Sequence, residues 1–155
     1  MTRGQAMLLW VLGSAGLAVI GAFGPWVKAL GVSVSGTDGS NDGWLVVGAA
    51  AVGGGLFLAT RTAKIAGFWA LVGGAVGTAT TIHDRNSVSD AISTSGGLAR
   101  ALVQIGWGLN LAMLASISFA ISGLAWLLTF TPEAQVPAGA VPVEVADATP
   151  PAPSV

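Results

Sequence analysis

The chain of 155 residues contains no cysteine, no tyrosine and one histidine, and only 8% of it is charged. Without cysteine there are no disulfide staples, zinc ribbons or thiol redox centres, though the absence assigns no redox compartment. One imidazole and a handful of carboxylates leave little for acid–base, nucleophilic or metal chemistry, so no catalytic residue and no cofactor is expected. A net charge of −1 supplies no basic stripe to follow a phosphate backbone, and nucleic acid is not an expected partner. Charge at 8% is about a third of the roughly 25% usual in soluble domains.

What the chain does have is apolar surface and glycine. Apolar residues make up 53% of it, glycine occurs 23 times, and the mean hydropathy is +0.76. Four long apolar runs, at about 6–23, 44–60, 65–82 and 106–130, each approach the ~20 residues needed to cross about 30 Å of hydrocarbon. None holds an Asp, Glu, Lys or Arg. Arg3 ahead of the first run resembles a secretory signal, but the run is long and Ile20-Gly21-Ala22 is a poor cleavage site, so we read it as a span. The expected fold class is an all-α membrane protein, an up-down-up-down four-helix transmembrane bundle with the lipid bilayer as its solvent.

The six tryptophans support these boundaries. With alternating spans, Trp10, Trp69 and Trp126 fall towards one face of the membrane and Trp26, Trp44 and Trp107 towards the other, as an interfacial belt requires; chance placement is the alternative. Basic residues divide evenly, with Arg3, Arg61 and Lys64 on the side of the termini against Lys28, Arg85 and Arg100. Two features tip the balance towards cytoplasmic termini. Arg61 and Lys64 crowd one very short connection, and Asp38, Asp42, Asp84 and Asp90 offset the basic residues opposite.

Lipid tails are as apolar as leucine, so spans associate through small residues that let backbones approach. Rows at i, i+4 spacing occur in each run: Ser14, Ala18 and Ala22; Ala51, Gly55 and Ala59; Ala70, Gly74 and Thr78; Gly108, Ala112, Ser116 and Ala120. Ala18, Gly55, Gly74 and Ala112 are the expected packing positions. Asn110, with Gln104 just outside the span, reads either as part of a permeation or ligand site or as an interhelical hydrogen bond; the second is preferred. Ion-driven transporters place ionisable groups on the path through the membrane, and the runs contain none.

The first loop holds two features. Val32 to Ser35 alternates apolar and polar, which predicts a short strand over the bundle mouth. Asp38, Ser40 and Asp42 followed by Gly43 match the opening of a calcium loop, but the bidentate Glu required at its twelfth position falls on Ala49. The preferred reading is a polar turn with Asp42 capping the helix that follows. The second loop, from His83 to about Ile105, contains His83-Asp84-Arg85, read as a solvated helix end rather than as chemistry. Leu98, Leu102 and Ile105 predict either an early start to the fourth helix or a short interfacial helix before it. Six of the seven prolines lie beyond Thr131, which predicts a disordered tail over 131–155.

Gly24-Pro25-Trp26, then Ser35-Gly36-Thr37-Asp38-Gly39, Asp42-Gly43-Trp44 opening a span and Gly106-Trp107-Gly108-Leu109 opening the last, resemble small four-pass membrane proteins of actinobacteria and their phages. The resemblance covers the membrane portion and not the tail. It implies a topology and a cell-envelope location, and carries over no substrate, cofactor or catalytic residue. Three function classes follow. The leading one is a non-enzymatic membrane protein acting through a membrane protein partner or a second copy of itself, such as a phage immunity or exclusion factor or an envelope accessory protein. The second is a small holin-like pore former. The third, a transporter or membrane enzyme, is disfavoured by the lack of ionisable groups within the spans.

Overall fold

A computed structural model describes residues 2–38, 42–94 and 96–130. The tail at 131–155 and Ser40 lie outside the described residues. The chain runs α1 (Arg3–Phe23), β1 (Pro25–Ala29), β2 (Val32–Ser35), α2 (Asp42–Ala59), α3 (Ile65–Thr94), α4 (Gly97–Leu102), β3 (Val103–Ile105) and α5 (Trp107–Thr129). Of these, α1, α2, α3 and α5 are long and apolar enough to cross a membrane.

Local chemistry sets the first helix. Thr2 caps α1 reciprocally with Gln5: the Gln5 N–H donates to Thr2 Oγ1 at 3.3 Å and the Thr2 N–H donates to Gln5 Oε1 at 2.9 Å. Gly24 ahead of Pro25 ends the helix, because the residue before a proline is pushed into extended backbone, here φ −72° and ψ 167°. The chain then turns at Leu30 and Gly31, both left-handed at φ 52° and 83°, the geometry of a two-residue hairpin turn. Ala29 pairs with Val32 across it.

The strand at Val32–Ser35 lies where alternation places it. Its partners were not expected: β1 carries Trp26 and follows a span directly, and β3 comes from the second loop. Together they form an antiparallel sheet in the order β2-β1-β3. An all-α description is therefore corrected to a helical bundle with a three-stranded cap. This pairing also brings the α1–α2 and α3–α5 connections to one end of the bundle. The tight turn at 60–64 lies at the other end. The third helix runs twelve residues past the expected limit at Ile82, and α4 is a short separate helix rather than an early start to the last span.

Small residues line the helix contacts. α5 packs mainly against α3 and α1, and α2 mainly against α3. A Cβ placed on Gly67 would stand 2.6 Å from the Gly123 carbonyl oxygen, and one on Gly73 would stand 2.7 Å from that of Ala49. Gly74 lies against the Ala120 backbone and Gly21 against that of Ala112. Ala18, Gly74 and Ala112 thus sit in buried seams. Gly55 does not: it is exposed, and nothing lies within 4 Å of a Cβ there. The inner stripe of α2 is Val46, Ala50, Gly53, Gly54 and Phe57, so the Ala51-Gly55-Ala59 row faces outward.

Between α1 and α5 the polar link is not Asn110, which sits in the first turn of α5, half-buried, with no side-chain hydrogen bond among the described residues. Trp10 Nε1–H donates instead to Ser118 Oγ at 3.0 Å, and Ser118 Oγ meets Ser14 Oγ at 2.9 Å. Interhelical bonds of this kind contribute about 0.6–2 kcal/mol. Other hydroxyls close on their own helix, as Thr81 Oγ1 does by donating to the Gly77 carbonyl at 2.9 Å. Tryptophan exposure is uneven. Trp44 and Trp107 are half exposed, whereas Trp126 is buried against Phe57 and Phe130 at ring distances of 5.0 and 5.3 Å. Trp26 is also buried, and donates from Nε1 to the Gly21 carbonyl at 3.1 Å.

Candidate functional site

Chemistry-bearing side chains gather under the sheet. The inner stripe of α3 reads Ala66, Ala70, Gly73/Gly74, Gly77 and Thr81, and the next position at the same spacing is Asp84. The apolar part of α3 ends at Ile82, so Asp84 stands beyond the apolar stretch, where the helix passes beneath the sheet. It retains 9% of its accessibility, and its Oδ2 has no hydrogen-bond partner among the described residues. The carboxylate of Asp42, the first residue of α2, lies alongside.

The two groups open into a cleft of about 300 Å³ between the sheet and α3. Trp26 and Val27 of β1 form one wall, and His83, Ser87 and Val88 of α3 form the other, with Asp38 at the rim. No Lys or Arg lines it among the described residues. Burial, then the neighbouring Asp42 carboxylate, push the Asp84 pKa up to about 7. Asp38 moves the opposite way: its exposed carboxylate accepts from the Ser35 N–H at 2.9 Å, which together with the Ser35 side chain lowers its pKa.

The expected calcium loop takes a different form. Asp38 is engaged in a turn with Ser35, while Asp42 turns to Asp84, and among the described residues no three acidic or histidine side chains converge on one point. Gly36 and Gly43 pack the turn tightly, with the Gly43 N–H donating to the Gly36 carbonyl at 2.9 Å. Consecutive helix positions rotate by about 100°, which separates the members of His83-Asp84-Arg85. His83 and Arg85 are exposed and only Asp84 is buried. Arg85 reaches towards α5, with its Nη1 3.8 Å from Met113 Sδ. The triplet lies within α3 and not at a helix end; the expected exposure to solvent holds for His83 and Arg85 alone. Asp84 was missed as a site residue, although the 4-then-3 spacing from Gly77 through Thr81 was available to place it inward.

A second surface lies outside the cap. The hairpin tip carries Leu30 at 77% exposure and Val32 at 65%. Beside them, Lys28, Leu102 and Gln104 border a shallow groove of about 450 Å³. Strand β2 is an outer strand of the sheet, with its far edge unpaired among the described residues.

The chain is thus a mostly helical protein with four helices suited to membrane spanning and a small three-stranded sheet. No family, no curated protein and no solved structure matches it.

Proposed function

We propose that this chain is a multi-pass plasma-membrane protein of the cell envelope, with both termini in the cytoplasm, acting through partner contacts made by its sheet-capped end. The observation that carries the reading is the hairpin tip. Leu30 and Val32 are among the most exposed large apolar residues, Leu30 in the hairpin turn and Val32 at the start of the open-edged strand β2, outside the apolar helices. Exposed strand edges pair readily with another chain, and apolar side chains alternating along them add selectivity. The side-chain inventory supports a role without catalysis. A phage immunity or superinfection-exclusion factor, or an envelope accessory protein, fits this surface and the resemblance of the loop motifs. The small-residue seams favour a closed bundle over a pore.

The test is a photo-crosslinking residue at Val32 in membranes of the native host, with Leu114, an exposed position within α5, as the control. The reading predicts one adduct of defined mass from position 32, lost on Leu30→Asp with protein level and Tm unchanged. The same adduct pattern from positions 32 and 114 contradicts it.

A further inference from the structure

The first turn of α2 and the point where α3 leaves its apolar stretch bring together two carboxyl groups with no Lys or Arg among the described residues of their cleft. Asp84 is more than nine-tenths buried, lines the cleft, and has one oxygen without a partner among the described residues. Burying a carboxylate without compensation is among the costlier things a fold does. Compensation comes either from a proton shared between the two carboxyls or from a cation held by both.

The surroundings suit a cation. Asp38 at the rim adds negative potential, and β1 and β2 contribute only uncharged residues to the cleft. About 300 Å³ accommodates an ion with several of its waters. Trp26 closes one side, and its burial restricts competing solvent.

We propose that Asp42 and Asp84 form a binding site for a hard divalent cation of the calcium class, at the sheet end of the bundle. Both donors are carboxylate oxygens, the type that calcium and magnesium prefer over softer nitrogen and sulfur ligands. Calcium tolerates the irregular, partly hydrated shell that two carboxylates leave, whereas magnesium demands near-octahedral order. Because the ligands come from different helices, the ion ties the projecting part of α3 to the start of α2 beneath the sheet. Two carboxylates are a low charge count, which sets the dissociation constant near the roughly 10⁻⁴–10⁻³ M of extracellular calcium modules. The proposal does not rest on the partner-contact reading and uses a different surface.

The experiment uses the full chain in detergent and terbium as a luminescent calcium substitute, with Trp26 in the cleft wall as the sensitiser. The expected result is saturable terbium emission competed by millimolar calcium, with apparent affinity reduced at least tenfold in Asp84→Asn and in Asp42→Asn. Calcium should also raise the Tm of the parent protein and leave that of Asp84→Asn unmoved. Should one variant fail to fold, the other and the calcium competition on the parent protein still decide. Emission that calcium does not compete, equal affinity in parent and variants, or a Tm indifferent to calcium overturns the proposal and leaves a shared proton as the compensation.

Discussion

Glycine 74 has no room for a side chain, whereas glycine 55 has open space. A Cβ on Gly74 meets the Ala120 backbone, and at Gly55 nothing lies within 4 Å. Overpacking a tight seam costs about 1–3 kcal/mol for modest additions and more when backbone must move. Gly74→Leu should therefore abolish or sharply reduce folded protein, while Gly55→Leu should leave Tm within a degree or two, both read by thermal scanning in detergent. Equal losses would show that the seams are not where the packing lies. Spacing alone could not separate the two glycines. Gly53, Gly54 and Gly55 are consecutive, and which of the three faces inward depends on the rotation of α2 about its axis, set by Phe57 and the stripe of α3. Asp84 carries the second residue-scale prediction. Its raised pKa means that the folded state holds the proton more tightly than the unfolded chain. The contribution is fully present below the ordinary value of 3.8 and is lost as pH rises through about 7. In calcium-free buffer, Asp84→Asn should have nearly the parent Tm at about pH 4 and a Tm several degrees higher at about pH 8. A parent Tm at the higher pH that matches or exceeds the variant's would contradict the burial of this charge.

Among the elements, the sheet depends on contacts between segments far apart in sequence. Strand β2 was legible because it alternates. Strand β1 was not, since Pro25–Ala29 continues the apolar character of α1, and three-residue β3 exists only because Val27, Lys28 and Ala29 pair with it. The same limit applies to the end of α3: hydropathy marks where the apolar stretch stops, not where the helix does, and the polar residues from His83 to Thr94 remain helical. The junction between sheet and bundle sits at Gly106, whose N–H donates to the Trp26 carbonyl at 2.7 Å and where an added Cβ would collide with the Pro25 carbonyl. Gly106→Ala should loosen the cap while the helices persist. The expected signature is a red shift of tryptophan emission as Trp26 meets water, with helical circular dichroism unchanged. Unchanged emission would mean that the cap does not depend on this close approach.

For the molecule as a whole, the four long apolar helices were legible because hydrocarbon thickness sets a length that only long apolar runs satisfy. Their alternation follows from the short 60–64 turn and from a sheet that gathers both longer connections at one end. The direction of insertion is less plainly written, because three basic residues lie on each side. With the termini proposed to be cytoplasmic, the sheet would lie outside the cell and the Arg61 turn inside. A chain without cysteine offers a clean background for single-cysteine accessibility. With a membrane-impermeant maleimide on intact cells, Val32→Cys and Asp90→Cys should label at once and Arg61→Cys only after permeabilisation. Labelling of position 61 together with position 32 on intact cells would contradict the four-pass arrangement, and labelling of position 61 alone would contradict its orientation.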